Sequence, residues 1–130
     1  MPSESRSTLR ILLVDDHPEL LEISAVILGI EGHSCETASS GREALAALGD
    51  GAFDLAILDL GLPDINGFEV ARLIRSRTPE ILLCALSGWR LTEDQAQQLT
   101  MFDRFVEKPV TPTMLRALVQ DLERLRRTAG

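Results

Sequence analysis

Short apolar runs and segments of helical period alternate five times along this chain, and no other feature constrains its fold as strongly. The runs are Leu9–Val14, His33–Ala38, Leu55–Leu58, Ile81–Leu86 and Arg104–Glu107. Runs this short, set between helical patterns, read as buried strands of a parallel sheet. Strict β–α alternation with right-handed crossovers puts helices on both faces of that sheet. The helical segments have readable ends. In Pro18–Ile30, Leu20, Ile23, Ile27 and Ile30 recur at helical spacing, with Leu21 and Leu28 widening the stripe, so these are the expected core contacts; Gly32 follows as a stop. Ser40-Gly41-Arg42-Glu43 reads as a capping box, with Glu43 reaching back to the Ser40 amide. It opens a helix carrying Ala44, Leu45 and Leu48, closed by Gly49-Asp50-Gly51. Pro63-Asp64-Ile65-Asn66-Gly67 is a turn cluster, after which Phe68, Val70, Ala71 and Ile74 mark a third helix ending before Pro79. Thr92-Glu93-Asp94-Gln95 is a second capping box and opens a short, polar fourth helix, the element expected to be most mobile. Thr111-Pro112 opens the last helix, whose core face is Leu115, Leu118, Val119, Leu122 and Leu125.

At 130 residues, with 45% hydrophobic and 25% charged side chains, the chain suits one globular domain. No apolar stretch reaches the roughly 20 residues of a membrane span. Met1–Ser7 lacks the apolar centre of a signal peptide, so a cytoplasmic location is expected, with residues 1–8 a flexible leader. The net charge of −7 argues against a nucleic-acid surface, which needs a basic patch. Arg124, Arg126 and Arg127 complement the negative end of the last helix. Cys35 and Cys84 fall within strands without metal-like spacing, and read as small buried hydrophobes.

The chemistry lies where the runs end. Asp15-Asp16 closes the first, Asp59 the third, Ser87-Gly88 the fourth and Lys108-Pro109 the fifth. In an open α/β sheet, ligands bind outside the carboxyl ends of the strands. Three carboxylates, a hydroxyl and an ammonium therefore converge on one edge. Adjacent carboxylates repel unless a cation compensates them, and Mg²⁺ suits a hard oxygen set completed by waters and phosphate oxygens. Either Asp15 or Asp16 could instead cap the first helix. Asp59 is placed to attack phosphorus and become an aspartyl-phosphate. Such a transfer needs positioning and charge neutralisation, which a cation, Lys108 and Ser87 would provide.

These segments resemble the receiver domain of two-component response regulators. The matching stretches are Leu12–Asp16, Leu58–Gly67, Ala85–Gly88 and Phe105–Pro109, within a resemblance running from Leu9 to Leu125. The resemblance implies a flavodoxin-like α/β fold, a doubly wound five-stranded parallel sheet in the order 2-1-3-4-5 with five helices, over residues 9–127. It implies Asp59 as phosphoacceptor with Lys108 and Ser87 assisting. Asp16, Asp59 and the Gly61 carbonyl would hold Mg²⁺ (or Mn²⁺), with Asp15 acting through water. It further implies a switch in which the Ser87 hydroxyl moves toward the phosphoryl group and Phe105 turns inward. Gly61 and Trp89 fall where the family tunes phosphoryl lifetime, and Lys108-Pro109 would be cis.

By that resemblance the phosphoryl group comes from a sensor histidine kinase or histidine phosphotransfer protein. The output is a changed face for an unknown downstream protein, with the chain a monomer or a phosphorylation-dependent homodimer. It is then a signalling domain rather than a classical enzyme, taking part in its own phosphotransfer and dephosphorylation. A stand-alone receiver without an output domain is expected, though a piece of a larger hybrid protein would read the same. The alternatives are a pseudo-receiver that docks partners without phosphorylation and an aspartyl phosphohydrolase. The latter usually carries an acid two residues after its nucleophile, where this chain has Gly61. Two features depart from the family. Ser87 stands where threonine is commoner, and Gln98–Asp103 lacks the usual glycine, which bears on the output face.

Overall fold

A computed structural model describes residues 8–49, 53–88 and 91–129, with backbone alone for 126–129. Five strands, β1 (Arg10–Val14), β2 (Ser34–Ala38), β3 (Leu55–Asp59), β4 (Leu82–Ser87) and β5 (Arg104–Glu107), form one parallel sheet ordered β2-β1-β3-β4-β5. They alternate with α1 (Pro18–Ile30), α2 (Gly41–Leu48), α3 (Gly67–Arg77), α4 (Glu93–Gln98) and α5 (Pro112–Ala129), a 3₁₀ turn at Leu99–Met101 following α4. The Lys108–Pro109 peptide is cis.

Successive side chains of a strand point to opposite faces, so the sheet divides the core in two. Ile11, Leu13, Leu55, Ile57, Cys84 and Leu86 pack on one side, with Leu21 and Leu28 of α1 and Leu115, Val119 and Leu122 of α5. Leu12, Val14, Ala56, Leu58 and Leu83 pack on the other, with Ala44 and Leu48 of α2 and Val70, Ala71 and Ile74 of α3. A smaller group under α4 joins Leu60, Phe68 and Ala85 to Leu99, Met101 and Phe102. The Phe68 and Phe102 rings meet edge-on at 6.2 Å. That segment has no residue at positive φ, so no position in it calls for glycine; Asp103 Oδ2 accepts the Leu83 amide at 2.9 Å, and Arg75 donates to the Met101 carbonyl at 3.1 Å.

The stripe expected on α1 is rotated. Leu21, Ser24 and Leu28 face the core, whereas Ile23 and Ile30 are 50% and 77% exposed and Val26 is exposed beside them. Ile27 is half-buried in a groove against Pro112 and Arg116 of α5. The helix carries apolar side chains nearly all round, so spacing alone does not choose the buried face. The α2 capping box is also modified. Ser40 Oγ accepts the Glu43 amide at 3.1 Å, but Glu43 Oε1 accepts the Ser39 amide at 2.8 Å instead of that of Ser40. The Thr92 box at α4 closes in both directions.

Burial pushes the Cys84 thiol up to about 12 and the half-buried Cys35 thiol up to about 11, so neither is a ready thiolate. Both are free cysteines; Cys84 is buried as expected, whereas Cys35, on the edge strand β2, is only half-buried. Arg124 pairs with Asp121 on α5; the side chains of Arg126 and Arg127 lie outside the described residues, as do residues 1–7 and the 50–51 part of the expected turn.

Candidate functional site

Parallel pairing brings four strand ends to one edge. Asp15 follows β1, and its amide donates to the Ala38 carbonyl at 3.1 Å. Asp59 ends β3 opposite Leu86, and Ser87 ends β4 opposite Glu107. Lys108 follows β5, tied back by its amide to the Ser87 carbonyl at 2.8 Å. The lysine then bridges the acids. Its Nζ donates to Asp59 Oδ2 at 3.1 Å and lies 2.9 Å from Asp15 Oδ2. The second contact is an ion pair without hydrogen-bond alignment, since Asp15 Oδ2 is a buried oxygen with no hydrogen-bond partner among the described residues. The other Asp59 oxygen, Oδ1, accepts the Gly61 amide at 3.0 Å.

Asp15, Asp59 and Ser87 are buried, while Asp16 and Gly61 are exposed at the mouth. Burial disfavours the charged form of Asp15, but the hydrogen bonds from His17 and the neighbouring Lys108 ammonium outweigh it and hold the carboxyl below its ordinary 3.8. Burial likewise opposes the Lys108 ammonium, and the two carboxylates outweigh that too, raising it above 10.5. Neither acid caps α1 in the usual way. Asp15 Oδ1 accepts the amide of His17, itself the N-cap residue, at 3.0 Å.

Two buried carboxylates share one ammonium here, Asp16 lies beside His17 at the rim, and one buried carboxylate oxygen is left without a hydrogen bond among the described residues. The carboxylates supply oxygen donors with negative charge in excess, which fits a hard divalent cation. Asp15, Asp16 and His17 present ligand atoms within 4.8 Å of one another.

Asp15, Asp59 and Lys108 are thus in direct contact, with Ser87 at the adjoining strand end and Asp16 and Gly61 at the rim. Phe105 stands apart on β5, opposite Ala85 and 36% exposed. Trp89 lies outside the described residues.

Three residues at the site were not singled out in the sequence. His17 contacts Asp15 and Asp16, which its place next to the acids could have signalled. Asp64, seen only as part of a turn, reaches α2: its Oδ1 accepts the Gly41 amide at 2.8 Å and its Oδ2 the Arg42 amide at 3.0 Å. The Gly41 amide is the first cause of an Asp64 carboxyl held below its ordinary value. Gly67 is required by close approach, since a Cβ there would sit 2.5 Å from the Leu60 Cα, just past the phosphoacceptor candidate.

Comparison with known proteins agrees with this geometry. The sequence model of the response regulator receiver domain matches residues 11–120. The transcriptional regulatory protein TcrA of Mycobacterium tuberculosis is 46% identical over 82 residues, 61% of this chain and 32% of its own length. The sensor histidine kinase RcsC of Salmonella typhimurium is 31% identical over 128 residues, 97% of this chain and 14% of its own length. The chain therefore spans a third or less of either relative. Among solved structures, a response regulator receiver domain protein from Methanospirillum hungatei superposes with a TM-score of 0.87 at 30% identity, covering 95% of this chain and 100% of that one. The response regulator TrrA of Thermotoga maritima, solved in complex with Mg²⁺ and beryllofluoride, gives 0.76 at 33% identity, covering 88% and 99%. With the sheet order, the converging strand ends and the matched span in agreement, the chain belongs to the response regulator receiver domain family of two-component signalling.

Proposed function

We propose that this receiver accepts a phosphoryl group on Asp59 from a phosphohistidine of a sensor kinase or phosphotransfer protein, with a divalent cation bound. The observation that carries this reading is the buried Asp59 carboxylate, held on one oxygen by Lys108 and on the other by the Gly61 amide. In the transfer, a carboxylate oxygen of Asp59 bonds to phosphorus as the phosphorus–nitrogen bond of the donor breaks. The imidazole leaves with the electron pair of that bond and takes up a proton. Lys108 offsets charge on the phosphoryl oxygens, and the Ser87 hydroxyl, at the end of the neighbouring strand, supplies a further donor. Asp16, Asp59 and the Gly61 carbonyl would hold Mg²⁺ or Mn²⁺, with Asp15 behind them; a bound ion adds positive charge against the developing phosphoryl charge.

The switch follows from the same bonds. A phosphoryl group on Asp59 offers Lys108 and Ser87 new charge-assisted partners, and so biases the β4–β5 side of the sheet. Phe105, exposed on β5, is the residue proposed to move with it, changing the face seen by a downstream protein. RcsC carries a related segment within a sensor histidine kinase, in keeping with a histidine phosphodonor. Residues 9–127 form the proposed receiver unit, and its action in the cytoplasm is part of the same reading. No helix among the described residues is long and apolar enough to cross a membrane.

The test is intact mass after incubation with acetyl phosphate and Mg²⁺. One added phosphoryl group is expected in the wild type, and none in Asp59→Asn or without the cation. Should no adduct form, and should the fluorescence of Trp89, the single tryptophan, stay unchanged with Mg²⁺ and beryllofluoride, the phosphoacceptor reading is wrong.

A further inference from the structure

Among the described residues, His17 is the one side chain bound to the acid cluster that the proposed phosphotransfer does not use. Its Nδ1 lies 2.8 Å from Asp15 Oδ1 and 3.2 Å from Asp16 Oδ1, while its backbone amide also donates to Asp15 Oδ1 at 3.0 Å. The ring itself is 67% exposed, so these contacts, and not packing, hold it over the acids. Two donors in neighbouring positions around a small divalent ion, each about 2.1 Å from it, stand roughly 3 Å apart. The Nδ1–Asp16 Oδ1 separation of 3.2 Å is close to that spacing.

We propose that His17 is a nitrogen donor to the divalent cation, and that it tilts this receiver toward the borderline ions Co²⁺ and Ni²⁺, and to a smaller degree toward Mn²⁺, relative to Mg²⁺. The inference rests on the cation-assisted reading of the site above. An aspartate-only site offers hard oxygen, which suits Mg²⁺ with its retained waters. An imidazole in place of one water gives Mg²⁺ little, whereas the later first-row ions gain from nitrogen in the order Mn²⁺, Co²⁺, Ni²⁺. Ligation asks for a small rearrangement. The backbone bond from the His17 amide to Asp15 keeps the turn in place, while Nδ1 gives up the proton it shares with Asp15 Oδ1 and the ring, as its Nε2–H tautomer, turns that lone pair to the ion. The chain's other histidine cannot supply the nitrogen: His33 is buried, and its Nδ1 accepts the Leu9 amide at 3.0 Å.

Calorimetric titration of tag-free wild type, His17→Ala and His17→Asn with each metal alone, beside pulsed electron paramagnetic resonance of the Mn²⁺ complexes, tests this. The wild type should show nitrogen-14 modulation from a bound imidazole, absent in both variants. The variants should lose about tenfold or more in Ni²⁺ and Co²⁺ affinity while Mg²⁺ affinity holds within about twofold. Absence of nitrogen coupling in the wild type overturns the proposal, as does an equal loss for every ion. Tighter Mg²⁺ binding by the variants with no nitrogen signal would make His17 a competitor of the cation and equally overturn it. Failure of acetyl phosphate to modify the wild type with any ion, together with Trp89 fluorescence unchanged by Mg²⁺ and beryllofluoride, would instead sink the phosphoacceptor reading, and the resonance signal separates the two.

Discussion

β3 is buried along its whole length, whereas β5, two strands away in the same sheet, exposes Arg104, Phe105 and Glu107. The helices repeat the contrast. α3 buries Gly67, Phe68, Val70, Ala71 and Ile74, and α4 buries none of its residues. The acid cluster joins these two regions, because Asp59 belongs to β3 and Lys108 follows β5. On the proposed reading, the phosphoacceptor is thereby anchored in the centre, while the lysine that would answer a new charge follows the lightly packed flanking strand β5. Rearranging that flank displaces little buried surface, so a few hydrogen bonds are enough to bias it.

The contrast is most easily broken by cutting side chains on each side of it. Ile57→Ala should cost about 2–5 kcal/mol, since its side chain is fully buried on β3. Phe105→Ala should cost less than about 1 kcal/mol, as expected for a partly exposed position. Urea unfolding measures both, and similar costs would remove the distinction.

Lys108→Met probes the junction. It leaves Asp15 and Asp59 buried without their shared ammonium, at a cost of about 2–3 kcal/mol, part of which added Mg²⁺ should restore. The pH dependence has a definite sign. The Asp15 carboxyl is held below 3.8, so its contribution is complete above that value and fades as pH falls through the lower folded value. Lys108 is raised above 10.5, so its contribution is complete below that and fades as pH rises through the higher folded value. Unfolding midpoints of wild type and variant should stay a constant distance apart near neutrality and converge in acid. A gap unchanged well below pH 3.8 would contradict the pairing.

Helix caps sharpen the comparison at smaller scale. Ser40→Ala removes the bond to the Glu43 amide on α2, whose Ala44 and Leu48 are in the core, and should lower global stability by about 1 kcal/mol. Thr92→Ala removes the matching bond on α4, yet should change global stability by less than about 0.5 kcal/mol. Hydrogen exchange should then quicken only in the α4 amides; faster exchange in β3 as well would tie the flank to the centre.

The parallel sheet and the strand-end cluster were legible because each catalytic candidate directly follows a short apolar run, whereas the strand order came only from the resemblance to receiver domains. The α1 face was not, because Leu20, Leu21, Ile23, Val26, Ile27, Leu28 and Ile30 go nearly round the helix, and only Glu19 and Glu22 mark the exposed side. Glu43 sits within reach of both the Ser39 and Ser40 amides, and only tertiary geometry decides between them. The link from Asp64 to Gly41 and Arg42 joins segments more than twenty residues apart, so no local pattern announces it. His17 was visible beside the acids, but the direction of its ring is set by the turn that Asp15 makes with its amide.

Borohydride trapping locates the acceptor most directly. Protein treated with acetyl phosphate and Mg²⁺ is reduced, which converts an aspartyl-phosphate into homoserine, and its peptides are then sequenced. Homoserine at position 59 alone, absent without the cation, is the predicted result. Homoserine at position 15 or 16, or none in protein that had gained a phosphoryl group, would contradict the assignment of Asp59.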